Sequence, residues 1–200
     1  MPQTAKKSTQ LGYQTTEILK LFPLQGEWTE AEYFSLPDTS HLVELSEGRL
    51  IIPDMPGDDH QKVAINLSTI LHTYVREHKL GEVRFSPLPV RIWKDKIREP
   101  NVVFMSSSHS RRIRKKFWGV PDLLMEIISK SNEWVDRVVK FAEYAQAGIP
   151  EYWIIDPNKK TIEVFYLEQG HYILLEKCGI VDTAHSRILG GFEIGVDAVM

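Results

Sequence analysis

Two apolar runs of strand length, LLMEII at 123–128 and EYWIID at 151–156, stand on either side of a helical stretch. Near-continuous apolar runs of this kind mark strands buried on both faces. The helix is read from Glu133 to Ala147, with Gly148 just past its end and Pro150 beyond, the usual asymmetry of a helix C-terminus. Strand, helix, strand in that order points to a sheet with helices laid against it. The fold class expected is α/β, with a mixed sheet.

The rest of the chain supplies shorter pieces. Thr29 is a plausible N-cap for a helix from Glu30 to Leu36, closed by Pro37. HLVELSEGRLII reads as a hairpin turning at Ser46-Glu47-Gly48. Asp58 or Asp59 opens a longer helix, with Val63, Leu67, Ile70, Leu71 and Tyr74 at helical spacing and Gly81 as its end. EVRFSPLPVRIW is strand material interrupted by Pro87 and Pro89, hence an edge or a bend. Asn101 to Met105 is a short strand, 106–116 a polar loop, and TIEVFYLEQGHYILLEK two strands joined at Glu168-Gln169-Gly170. Residues 1–26 read as an N-terminal arm and 27–200 as a single domain, without repeats or a linker.

Hydrophobic residues make up 42% and charged residues 26% of the chain, which excludes a wholly disordered or fibrous protein. No apolar run approaches the ~20 residues of a membrane helix, and MPQTAKKSTQ lacks a secretory apolar stretch. The single cysteine, Cys178, has no internal disulfide partner. A cytoplasmic protein without membrane or disulfide partners is expected. Net charge is −3, yet Arg111, Arg112, Arg114, Lys115 and Lys116 lie together, leaving 19 basic against 27 acidic residues elsewhere. A localised basic patch on an acidic body suits contact with a nucleic-acid backbone; on charge alone a solvated loop is the simpler account. Tyr152, Trp153, Phe165, Tyr166 and Tyr172 would serve either an interface between two copies, in a homodimer, or the core.

Glu126 is the anomaly. It lies inside an apolar strand, where a carboxylate costs several kcal/mol unless it is paired, hydrogen-bonded or metal-bound. Asp122, four residues earlier, is about 13 Å away along an extended strand and cannot share an ion with it. The following helix carries Asp136, Lys140 and Tyr144 at i, i+4 and i+8, which forms one stripe. Its apolar arc, through Val135, Val138, Val139, Ala142 and Ala145, places Lys140 away from the core. On periodicity alone Asp136 and Lys140 are therefore an exposed pair of small energetic weight.

Four segments together carry a resemblance: LVELSEGRLI followed by His60-Gln61, REPNVVFM, GVPDLLMEIIS, and VDRVVKFAEYAQAGIPEYWIIDP. They resemble the signature of the Uma-type restriction endonuclease family, from about Thr29 to the C-terminal region. The resemblance implies a restriction-endonuclease-like core of the PD-(D/E)xK type, a DNA endonuclease activity and a Mg²⁺ or Mn²⁺ cofactor held by acidic residues on neighbouring strands. Phosphodiester hydrolysis needs charge neutralisation, an activated water and a stabilised leaving oxygen, all of which a carboxylate-held metal supplies.

Carried over residue by residue, Glu126 is the second acidic ligand, Lys140 the lysine moved onto the helix, and Tyr144 the tyrosine accompanying it, with Asp136 in the same motif. Glu44 and His60 are peripheral site residues; for His60 a local hydrogen bond at a helix start is an equally ordinary role. Two departures stand out. Ile128 occupies the motif's usual lysine position, with Lys130 as a nearby alternative to Lys140. Asn101 stands where the family has the aspartate of Pro-Asp, offering an oxygen to a metal but no charge, so metal affinity and activity are expected to be weakened or lost. The alternative is a catalytically inactive protein that keeps the nuclease fold, as a nucleic-acid-binding or an oligomeric structural protein.

Overall fold

The computed structural model describes residues 22–37 and 42–200. Of the expected N-terminal arm, residues 1–21 lie outside the described residues. Strands are numbered β1 (Glu44–Ser46), β2 (Arg49–Ile51), β3 (Gly81–Phe85), β4 (Val90–Trp93), β5 (Lys96–Arg98), β6 (Val102–Ser106), β7 (Leu123–Ile127), β8 (Glu151–Asp156), β9 (Thr161–Glu168), β10 (His171–Cys178), β11 (Thr183–His185) and β12 (Glu193–Gly195). Helices are α1 (Glu30–Tyr33), α2 (Asp58–Glu77), α3 (Phe141–Gln146) and α4 (Val196–Val199). A 3-10 turn spans Ser107–Arg112, and a π-helical turn at Val135–Lys140 leads into α3.

Six strands form the main sheet in the order β10-β9-β8-β7-β6-β3. Only β7 and β8 run parallel among its pairs, joined by the π turn and α3. A second, antiparallel sheet has the order β2-β1-β5-β4, and β11 pairs with β12. The mixed α and β architecture expected from the order of elements is therefore present.

Period-two alternation divides β7 between two cores. Leu123, Met125 and Ile127 pack with Val63, Leu67, Leu71 and Val75 of α2. Leu124 and Ile128 join Tyr144, Tyr152 and Ile154 on the other face, each fully buried aliphatic chain contributing about 1.5–3 kcal/mol. Glu126 faces that second side. The antiparallel register Val102↔Met125 brings Asn101, just before β6, alongside it.

Local signals explain the ends. Thr29 caps α1 in a reciprocal capping box with Glu32. The first hairpin turns through Glu47 and Gly48, both left-handed (φ 51° and 73°), a turn that matches strand twist. A side chain at Gly48 would meet the Gly26 carbonyl at 2.4 Å.

Two expectations are corrected and one open alternative is decided. The long helix stops at Glu77, with Lys79 taking positive φ, and Gly81 instead opens β3, where a Cβ would lie 2.0 Å from the Met105 oxygen. Tyr152 and Trp153 are fully buried, so they belong to the core rather than to an interface. The helix after β7 faces the opposite way: Asp136, Lys140 and Tyr144 are buried, while Val138 is half exposed and Ala142 exposed. The polar stripe turns inward because buried partners of opposite charge await it.

Candidate active site

Glu126 is 2% exposed, and three donors reach its carboxylate. The Lys140 Nζ donates to Oε1 at 3.0 Å and the Tyr144 hydroxyl to the same oxygen at 2.8 Å. The Asn101 backbone N–H donates to Oε2 at 3.3 Å. A buried carboxylate in an apolar strand is tolerated because these groups replace its water. Lys140 and Tyr144 reach it from one helix because they are four residues apart. The π turn that delivers Lys140 is a form concentrated at functional sites.

Lys140 is the hub of a larger cage. Its Nζ also lies 3.0 Å from Asp136 Oδ1 and 3.7 Å from Glu44 Oε1. The Asp136 contact has ion-pair distance but not hydrogen-bond alignment, so Asp136 Oδ1 is buried without a hydrogen bond. Arg98, from β5, pairs with Glu44 Oε2 at 2.6 Å and with Glu143 at 2.8 Å. The Glu99 N–H donates to Glu44 Oε1 at 3.1 Å. Tyr33 holds Glu99 Oε1 at 3.3 Å, while Glu99 Oε2 is buried with no partner.

The charges respond accordingly. Burial pushes the Glu126 carboxyl up to about 7, against Lys140 and with help from Asp136. Burial likewise raises Asp136. Burial opposes the charge on Lys140, but Glu126, Glu44 and Asp136 outweigh it and keep the ammonium protonated well above its ordinary range. Glu44 is held low because Lys140 and Arg98 overcome its burial. Glu99, buried and next to Glu44 with no cation partner among the described residues, is raised to about 7.

Glu44, His60, Glu99, Asn101, Glu126, Asp136 and Lys140 line one pocket of about 190 Å³. The structure thus brings together the sequence-predicted residues Asn101, Glu126, Lys140, Glu44, His60 and Asp136, with Tyr144 behind Glu126. The buried Nδ1 of His60 has no hydrogen-bond partner, and burial lowers its basicity despite nearby Glu126. Lys130 is exposed and forms no ion pair with Glu126 among the described residues, whereas Lys140 does. Asp122 sits at the other end of β7, accepting from Ser106 N and bonding His109.

The basic stretch does not line this pocket. It begins past the far end of β6 and returns along α1, where Lys116 bonds the Phe34 carbonyl at 3.2 Å. Arg111, Arg112, Arg114, Lys115 and Lys116 are all exposed. Sequence reasoning missed Glu99, Arg98 and Glu143. For Glu99 a signal existed, since it adjoins the Pro100-Asn101 pair; Arg98 and Glu143 acquire meaning only through strand pairing and helix orientation.

The donor set suits a hard divalent cation. It consists of oxygen atoms, as such ions prefer, and two of them, Asp136 Oδ1 and Glu99 Oε2, are buried without hydrogen bonds. Among the described residues no three His, Cys, Asp or Glu side chains are grouped to hold an ion by themselves. A cation here would thus keep water ligands, as Mg²⁺ does.

Among solved structures, the chain is similar to one described as "a putative nuclease belonging to DUF820" from Anabaena variabilis ATCC 29413, at 17% identity. The TM-score is 0.71, over 86% of this chain and 97% of that one. The class is therefore a mixed α and β protein of that nuclease's fold. Residues 30–197 match the Uma2 family, described as "Putative restriction endonuclease", and the chain belongs to that family. No curated protein matches it. Among the described residues no helix is long and apolar enough to cross a membrane.

Proposed function

We propose that the pocket around Glu126 is a phosphodiester-hydrolysing site acting on DNA, with Mg²⁺ or Mn²⁺ as its cofactor and with metal affinity reduced by Asn101. The observation that carries this reading is the buried Lys140–Glu126 pair, 3.0 Å apart, at the wall of a carboxylate-lined pocket. Glu126 and the Asn101 amide oxygen would hold the cation. Bound there, it would neutralise the scissile phosphate and lower the pKa of a bound water.

The protein's own groups divide the remaining work. Tyr144 donates to Glu126 Oε1 and fixes the carboxylate plane. Asp136 and Glu44 hold the Lys140 ammonium charged and in place beside that oxygen. A fixed ammonium at the pocket wall offers a positive charge to the developing phosphorane, and such preorganised charge is the main lever in phosphoryl transfer. The expected activity is nicking of plasmid DNA with Mn²⁺ or Mg²⁺, abolished by EDTA and by Glu126→Gln. Metal-independent nicking, or nicking by Glu126→Gln at the parent rate, would sink the reading.

One observation favours a second reading, a DNA-binding protein without catalysis. The Asn101 Oδ1 accepts from the Ile127 N–H at 2.8 Å, so the one neutral residue of the set is also committed to the backbone. Salt-sensitive DNA binding with no metal response and no nicking would favour it.

A further inference from the structure

Four buried carboxylates line the pocket: Glu44, Glu99, Glu126 and Asp136. Three of them have a cation. Glu44 has Arg98 and Lys140, while Glu126 and Asp136 share Lys140. Glu99 has none among the described residues. Among the described residues its only side-chain partner is the Tyr33 hydroxyl, 3.3 Å from Oε1, whose single proton is shared with the nearer Val43 carbonyl at 2.7 Å. Oε2 is buried and unpartnered in a residue that is 8% exposed.

A carboxylate oxygen with neither donor nor cation is costly to bury. Glu99 precedes Asn101 by two residues, across Pro100, and both line the pocket. Asn101 brings no charge, and its oxygen already accepts from Ile127. We propose that Glu99 supplies the negative charge that Asn101 lacks, binding the divalent cation of this pocket directly through Oε2. Tyr33 then acts as its positioning residue, through its contact with Oε1. This inference rests on the reading of the pocket as a cation site with Glu126. The remaining coordination positions belong to water, which suits an ion that keeps several of its own.

The test uses Mn²⁺ alone, by calorimetric titration of the full chain and by the metal-dependent rise in melting temperature. Far-UV circular dichroism in EDTA establishes that each variant is folded. The parent binds Mn²⁺, and Glu99→Gln weakens it at least tenfold, as does Glu126→Gln. Glu99→Asp keeps the charge but withdraws it by one methylene, so its affinity falls as well; this variant carries the test should Glu99→Gln fail to fold. Parent-like affinity in Glu99→Gln or Glu99→Asp, with loss in Glu126→Gln, overturns the role of Glu99 and leaves the pocket reading standing. Parent-like affinity in Glu126→Gln overturns both. A parent that binds no Mn²⁺ overturns the inference, and Asn101→Asp then decides the pocket: binding regained there preserves that reading.

Discussion

Asn101 and Glu126 clasp each other across the start of β6 and the end of β7. The Asn101 N–H donates to Glu126 Oε2 at 3.3 Å, and the Asn101 side-chain oxygen accepts from the neighbouring Ile127 N–H at 2.8 Å. The residue is therefore as much a backbone clamp as a candidate ligand. An aspartate would make the same acceptor contact and add a charge next to Glu126.

Asn101→Asp is consequently expected to fold as the parent does but to be less stable without metal. Two nearby carboxylates raise one another's pKa, and each tenfold change in proton affinity is worth about 1.4 kcal/mol. Bound Mg²⁺ reverses that penalty, because opposite charge favours both ionised forms. The measurement is the rise in melting temperature between EDTA and excess Mg²⁺, which reflects a stabilisation that mass action puts at about 2.7 kcal/mol when the ion is at 100 times its dissociation constant. The variant should show a larger rise than the parent; equal responses would remove position 101 from any cation site.

Lys140→Met removes the cation shared by Glu126, Asp136 and Glu44. Breaking a buried pair from one side typically costs about 3–5 kcal/mol. Adding Asp136→Asn to the same protein deletes one stranded carboxylate and should recover part of the loss. Additive losses in chemical denaturation would show that the three groups do not act as one cage.

Tyr144→Phe keeps the ring in the core, where it meets Tyr152 edge-on at 5.2 Å between centroids, and removes only the donor to Glu126. A lost hydrogen bond to a charged group costs about 1.5–3 kcal/mol. With one donor fewer, Glu126 holds its proton to higher pH. A pH–rate profile of nicking whose acidic limb shifts upward would confirm that Tyr144 acts through Glu126. A profile unchanged in position would confine Tyr144 to packing.

Two of the five basic residues at 111–116 are tied to carbonyls, Arg112 to Val120 and Lys116 to Phe34. Arg111, Arg114 and Lys115 are exposed. Replacing those three by Gln should lower the slope of log binding constant against log salt by about 0.9 for each phosphate no longer neutralised, about 2–3 in all. Mn²⁺ binding should be untouched, since none of the three lines the pocket. An unchanged slope would mark the stretch as a solvated loop.

How much of this was legible in the sequence depends on how far apart the partners lie. Glu126 announced itself, because a lone acid in LLMEII needs an explanation that neighbours in the chain do not provide. The stripe of Asp136, Lys140 and Tyr144 was legible as a stripe, but counting valines and alanines assigned it to solvent. Apolar periodicity fails there because the face that packs inward is chosen by buried Glu126, Glu44 and Arg98, which come from β7, β1 and β5. Arg98 looked like one more charge in KDKIREP and is 2% exposed, since the β1–β5 register carries it to Glu44. Glu99 escaped notice although it adjoins the Pro100-Asn101 pair.

Glu99 also sets a pH dependence whose sign follows from its environment. Its folded-state pKa is raised to about 7, first by burial and then by Glu44, while the unfolded chain ionises near the ordinary value of about 4.3. Between those two values the folded state binds more protons than the unfolded one, so stability is greatest at the acidic end and falls as pH rises towards 7. Above 7 both states are ionised and this contribution is constant. Glu126, raised in the same direction, adds a parallel decline that persists when Glu99 is replaced. In EDTA, Glu99→Gln should therefore lose less melting temperature than the parent between pH 5 and pH 7, and the two curves should run parallel from pH 7.5 upward. Adding Mn²⁺ should flatten the parent's decline, because the ion takes the place of the proton on the carboxylate, and should do so less in the variant. Identical pH profiles for parent and variant in EDTA would mean that Glu99 ionises in the folded protein as it does in water, which its buried, unpartnered oxygen argues against.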